Sequence, residues 1–386
     1  MTMPHGAIPS LSMTQATTIP DDRRERAAYV ALALTPGIGS KLPDIIAACS
    51  SPLGAVMAPF AFLGAAGFSR AAATAIRGAS VEAGERVLRD TEALGAITIF
   101  PGDPAYPPML VNIPDPPRLL FALGNLELAA RQAVAVVGSR SHTDYGVHAC
   151  RSVVDAAVAA GAVVVSGMAR GIDAHAHARA LDDGGHTIGV LGNGIGHIYP
   201  AANRQLYERV ARDGLLLTEM PPGERPRVYT FPHRNRLIAG LATVTVVVEA
   251  AHTSGSLITA GCALDAGREV LAVPGPITEA TSDGTNHLLR QGSAPFLTAE
   301  DLWSRLPGAA PLIGGPARPA PPLRRVPDGL SPVEHRIAET LLQGEQHVDR
   351  IARDAGVDCG VALVELLSLE LRSVVESLPG RRYRLR

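Results

Sequence analysis

Residues 134–173, VAVVGSRSHTDYGVHACRSVVDAAVAAGAVVVSGMARGID, constrain the fold more than any other stretch. Val134, Val136 and Val137 form a short, almost wholly apolar run closed by Gly138. Such a run suits a strand buried on both faces of a parallel sheet. A helix is expected from about Asp144 to Ala160, with Val147, Val154 and Val158 near one face and Gly161 as its stop. Ala162–Val165 predicts a second buried strand, closed by Ser166-Gly167, and another helix starts near Gly171. Strand–helix–strand–helix is the unit of a doubly wound α/β sheet. In such sheets ligands bind at the carboxyl ends of the strands. Both ends here are small-residue turns, Gly138-Ser139-Arg140 and Ser166–Gly171, each feeding a helix and each carrying an arginine. Free backbone N–H groups, a positive helix end and a guanidinium fork together suit a phosphate. The glycines alone would equally serve tight turns.

The remaining strands follow the same logic. Ile97–Phe100, Leu119–Leu123, Thr187–Leu191, Leu215–Thr218, Thr243–Val248 and Arg268–Val273 are apolar runs ended by turns. Gly192-Asn193-Gly194-Ile195-Gly196 is not a dinucleotide fingerprint: the third glycine is misplaced, and Tyr199-Pro200 interrupts before a helix begins near Asn203. No phosphate-loop sequence G-x-x-x-x-G-K-[ST] occurs. Ser254-Gly255-Ser256 makes a third small-residue turn at a helix start, and Gly284-Thr285-Asn286 opens one more short helix.

Pro221–Gly240 is the most unusual segment. Arg225, Arg227, Arg234 and Arg236 stand against Glu224 alone, with Tyr229 and Phe231 between them. Cations for a backbone and flat rings for bases are what unpaired nucleic acid needs. Aromatics are 4% of the chain, which makes rings among arginines informative. The plain alternative puts Phe231 in the core and the arginines in solvent. Net charge is only −2, so a polyanion site has to be a local patch. Lys41 is the only lysine, which leaves arginine to supply the contacts elsewhere.

The 386 residues allow several domains. Residues 1–21 are polar and expected to be disordered. Residues 22–94 predict a small helical domain in which Leu34–Gly39 resembles a helix-hairpin-helix turn, and 95–305 form the Rossmann-like domain. Residues 306–329, rich in proline and glycine, predict a linker. Residues 330–386 predict a winged helix, with helices over Pro332–Leu342, Val348–Ala355 and Val361–Leu371 and a hairpin tipped by Pro379-Gly380. Its third helix, the usual DNA reader, is apolar with Glu365 and Glu370 and has no basic residue, which favours a protein contact. Arg381, Arg382, Arg384 and Arg386 leave a nucleic-acid role open for the wing. Cys49, Cys150, Cys262 and Cys359 are scattered, as core thiols of a reducing cytoplasm are. Neither a signal peptide nor a membrane-spanning stretch is expected.

Taken together, VVGSR, VVSGMARGIDAHAHARAL, TIGVLGNGI with YP, TEMPPG, FPHRNRLIAGL, VVVEA, SGSLITA, GREVLAVPG and GTNHLL resemble the DNA-processing protein A (DprA/Smf) family, in order, over roughly residues 95–300. The resemblance implies a non-catalytic protein of natural transformation that binds and shields incoming single-stranded DNA. It also implies help in loading the RecA recombinase, and a homodimer formed through the Rossmann-like domain. Carried onto matching positions, it implies DNA contacts at Arg140, Ser166, Gly167, Phe231, Arg234 and Asn235. The residues themselves add Arg170, Arg236, Ser254 and Ser256. Asn235 is equally suited to a structural turn or cap. No cofactor and no metal is expected. The competing expectation is a nucleoside-monophosphate hydrolase-like enzyme, in which Glu219 and Glu249 would pair as acid and base. Asp173, His175 and His177 would be its metal ligands, although i, i+2 spacing on a helix points the histidines apart.

Overall fold

A computed structural model describes residues 21–308, 326–327, 329–378 and 380–385. The expected disordered N-terminus and most of the expected linker lie outside these residues. The chain divides into two compact units, Met1–Leu312 and Ile313–Arg386.

The first unit opens with helices α1 (Arg23–Ala33), α2 (Leu42–Cys49), α3 (Pro52–Met57), α4 (Phe60–Ala65), α5 (Arg70–Gly78) and α6 (Val81–Ala93). Their starts are set by side-chain caps: Asp22, Ser51, Ser69 and Ser80 each accept from a backbone amide in the following turn. In the turn between α1 and α2, Gly37 and Gly39 take positive φ while Ile38 is buried between them.

A nine-stranded sheet follows: β1 (Ile97–Ile99), β2 (Leu120–Gly124), β3 (Ala133–Val137), β4 (Val163–Ser166), β5 (Thr187–Val190), β6 (Leu215–Thr218), β7 (Val244–Val247), β8 (Glu269–Ala272) and β9 (Ala294–Pro295). Its order is β1-β2-β6-β5-β4-β3-β7-β8-β9. From β6 through to β9 every pair is parallel; β1 and β2 add an antiparallel edge. The expected strands fall within about a residue of those observed. β9 was not anticipated, being only two residues long. The crossovers are α7 (Asp144–Ala159), α8 (Ile172–Asp182), α9 (Arg204–Asp213), α10 (Thr230–Leu241), α11 (Gly255–Asp265) and α12 (Asp283–Arg290), with α13 (Ala299–Trp303) closing the unit.

Every residue of β3 is buried. Val134 and Val136 join one apolar cluster with Val153 and Val154 of α7; Ala135 and Val137 join another with Leu237 and Ile238 of α10. The strand thus has apolar neighbours on both faces, which explains why its sequence does not alternate. A third cluster joins the N-terminal helices to Phe121, Leu191 and Leu216 of the sheet region. All four cysteines are free thiols; burial pushes the Cys150 thiol up to about 12. Among the described residues no helix is long and apolar enough to cross a membrane.

The second unit contains α14 (Pro332–Thr340), β10 (Gln346–His347), α15 (Val348–Ala355), α16 (Cys359–Leu371), β11 (Val375–Leu378) and β12 (Arg382–Leu385), the strands ordered β10-β12-β11. This is the expected winged helix. On α16, Ala362, Leu366 and Leu369 are buried in the unit's core, while Val361, Val364, Leu367 and Leu371 face solvent. In the wing, Arg382 pairs with Glu345 and Arg384 with Glu376.

Candidate nucleic-acid interface

The turns after β3, β4 and β5 and the start of α10 enclose one cavity of about 270 Å³. Arg140 enters from the first turn, Gly167–Arg170 from the second and Gly192-Asn193 from the third. Phe231 and Arg234 come from α10, and Tyr199 from the segment before α9. Five of the ten anticipated contacts therefore meet: Arg140, Gly167, Arg170, Phe231 and Arg234.

The cavity has a buried floor and an exposed rim. Arg234 is only 6% exposed; its Nη1 donates to the carbonyl of Gly167 at 2.6 Å and to that of Val190. Burial lowers its pKa to about 10, so the guanidinium stays charged at neutral pH. Asp173 accepts from the Gly167 N–H at 3.1 Å. Burial raises its carboxyl pKa, an effect partly offset by the charge of Arg234. A β-carbon on Gly167 would lie 2.7 Å from both Arg234 and Asp173, so only glycine fits between them.

Met168 has φ +56, a left-handed conformation uncommon for a side-chain-bearing residue. It is fixed from both sides. Its N–H donates to His177 Nε2 at 3.3 Å, and its carbonyl accepts from Asn203 Nδ2 at 3.0 Å. His177 is fully buried, and desolvation lowers its pKa to about 3. The neutral ring can then donate from Nδ1 to Thr187, 2.7 Å away, while Nε2 accepts. Gly171, at φ +80, lies so close to Ser139 and Arg140 that a side chain would strike their backbone. The turn that presents Arg170 is thus rigid.

On the rim, Arg140 and Arg170 are exposed, and among the described residues neither pairs with a carboxylate. The Arg140 guanidinium lies 5.8 Å from the centre of the Phe231 ring, and Tyr199 lies 5.5 Å from the same ring. The ring of Phe231 rests on Gly192, where a β-carbon would come within 2.8 Å of it.

The other anticipated contacts do not line this cavity. Ser166 is wholly buried as the last residue of β4, and its hydroxyl donates to the Val136 carbonyl at 2.7 Å. Asn235 Nδ2 donates to the Gly255 carbonyl at 3.2 Å and ties α10 to α11, the structural role left open above. Ser254 caps α11 by accepting from the Ser256 N–H, and the two hydroxyls lie 2.7 Å apart. Arg236 points away from the cavity, 3.1 Å from Asp115 and 2.7 Å from Glu219. The second half of the Pro221–Gly240 segment is helical: Pro232 sits in the first turn of α10, where its missing N–H costs nothing. The backbone amides expected to receive phosphate are largely engaged: Gly167 by Asp173, Met168 by His177, and Thr143, at the start of α7, by Glu249.

Sequence reasoning missed Tyr199, Asn193 and Asn203. The one available signal was the Tyr-Pro pair before α9, used to reject a dinucleotide fingerprint and as part of the family resemblance, with no contact assigned to Tyr199. Glu219 and Glu249 have separate partners, Arg236 for one and the Thr143 amide for the other. His175 faces His142 at 3.1 Å rather than joining Asp173 and His177. Among the described residues no three metal-ligating side chains converge.

The family model for DNA recombination-mediator protein A matches residues 97–307, and that for the DprA winged helix domain matches 317–381. Protein Smf of Synechocystis sp. is 36% identical over 318 residues, 75% of this chain and 80% of its own length. DNA processing protein DprA of Streptococcus pneumoniae is 44% identical over 200 residues, 52% of this chain and 71% of its own. The X-ray structure of DNA processing protein A from Streptococcus pneumoniae matches with a TM-score of 0.62 at 31% identity, covering 74% of this chain and 96% of that one. In both its α/β core and its C-terminal domain, the chain belongs to the DNA recombination-mediator protein A family.

Proposed function

We propose that this cavity holds single-stranded DNA without regard to sequence, with no chemical step. One observation carries the reading: two exposed guanidinium groups, without carboxylate partners among the described residues, flank an accessible ring over a rigid floor. Cations track the backbone while rings stack on bases, and neither discriminates sequence. The names of the relatives point to DNA as the polymer. The separate engagement of Glu219 and Glu249 supports a binding protein over a hydrolase. In this reading the protein acts in the cytoplasm during natural transformation, shields incoming strands and passes them to the RecA recombinase. It works as a homodimer through the Rossmann-like domain, which exposes Ile258 and Leu264 on α11.

The test is a salt-titrated gel shift with matched single- and double-stranded oligonucleotides. Single strands are expected to bind more tightly, with affinity falling steeply as salt rises. Arg140→Ala is expected to fold normally and to flatten the log–log salt slope by about 0.7, the loss of one single-strand phosphate contact. Phe231→Ala is expected to lose on the order of 1–3 kcal/mol of binding. Equal binding of both oligonucleotides, unaffected by either substitution, would overturn the proposal.

A further inference from the structure

We infer that Tyr199 is a second stacking residue, so that the site carries two neighbouring bases rather than one. The inference rests on the single-strand reading above. Phe231 has its back against Gly192, and its remaining surroundings include Arg140 at 5.8 Å. That leaves room for one base on this ring. The next base along the strand needs its own flat partner, and Tyr199 is beside it. The two ring centres are 5.5 Å apart and their planes are inclined by 40°, so together they form a bent platform on one wall of the cavity.

Four other tyrosines of the first unit are tied down through their hydroxyls. Tyr29, Tyr106 and Tyr145 donate their hydroxyls to the carbonyls of Arg118, Pro117 and Pro274, and the hydroxyl of Tyr207 accepts from the Gly196 N–H. Tyr145 and Tyr229 are at least as exposed as Tyr199, at 47% and 65% against 45%, but of the three Tyr199 alone lines the cavity, beside Phe231. An aromatic body held in water without a core to fill is the form a stacking partner takes. Its backbone is also held in advance. Asn193 Nδ2 donates to the His197 carbonyl at 2.6 Å, and Asn203 Nδ2 ties the far side of the segment to Met168. Little conformational freedom remains to be lost when a base arrives.

The test measures binding of a single-stranded oligonucleotide by the wild type, Tyr199→Phe, Tyr199→Ala and Tyr199→Leu, each first checked by thermal melting. Tyr199→Phe is expected to bind within about twofold of wild type, since the ring does the stacking. Tyr199→Ala and Tyr199→Leu are expected to bind about five- to a hundredfold more weakly with the salt slope unchanged, the range expected for one base. Leucine retains an apolar contact with Phe231, so it keeps the test valid if alanine disturbs the fold. On a strand of abasic residues, all four proteins are expected to bind alike. If the leucine variant binds the ordinary strand as wild type does while Phe231→Ala weakens it, the second stacking position is wrong and the single-strand reading stands. If neither ring nor Arg140 affects binding, the single-strand reading itself fails.

Discussion

Arg234 and Arg236 stand two residues apart on α10 yet occupy opposite surroundings. Two steps along a helix turn a side chain by roughly 200°. Arg234 therefore goes under the cavity and holds two backbone carbonyls, while Arg236 goes to the far side and is neutralised by Asp115 and Glu219. Arg227, earlier in the same segment, is paired with Glu224. A run of arginines in sequence is thus not a patch of positive charge in space. What reaches a ligand is decided by which carboxylates come from elsewhere in the fold.

The largest expected effect comes from breaking the buried member of the pair. Arg234→Ala leaves two carbonyls and Asp173 uncompensated in the floor, and should destabilise the first unit by about 3 kcal/mol or more in a denaturant titration. Thermal midpoints should fall by several degrees, and Arg234→Lys should recover only part of the loss, because an ammonium does not span both carbonyls. The next effect is the floor's dependence on pH. His177 is neutral when folded down to about pH 3, but in the unfolded chain it takes up a proton below about 6.5. More protons bound to the unfolded state means that stability falls as pH falls across this window. The contribution approaches about 1.4 kcal/mol per pH unit, and His177→Gln should remove it from the stability–pH profile. The smallest effect should come from Arg236→Ala. This variant loses its pairs with Asp115 and Glu219, both away from the cavity, and should bind single-stranded DNA as the wild type does. Weakened binding in this variant would erase the distinction between the two arginines.

The sheet was legible because β3, β4 and β7 are runs of valine, and a run without alternation has few ways to be buried. The location of the site was legible too, since strand ends are where such sheets bind ligands. Its chemistry was only half legible. Arg140, Arg170 and Phe231 sit in turns or at a helix start, and their exposure follows from that position. The fate of the backbone amides could not be read, because Asp173, His177 and Glu249 are 6, 9 and 106 residues from the amides they occupy. The burial of Ser166 was not legible, because its hydroxyl partner, the Val136 carbonyl, comes from the neighbouring strand. Tyr199 was passed over although its Tyr-Pro pair was part of the family resemblance, because sequence does not show that the segment folds back beside Phe231.

Glu249 changes how the whole edge of the sheet can be used. The strand order reverses between β3 and β7, and at such a reversal open sheets ordinarily seat a phosphate against a helix start. Here that seat is filled from within: the Glu249 carboxylate, only 2% exposed, takes the Thr143 amide at 3.0 Å and crowds Gly146 in the first turn of α7. In the proposed reading, a phosphate finds the customary berth taken and is diverted one strand over, toward the arginines. On that reading, a scaffold of the kind that holds a compact nucleotide turns its open side to a longer guest, one that threads past instead of settling in.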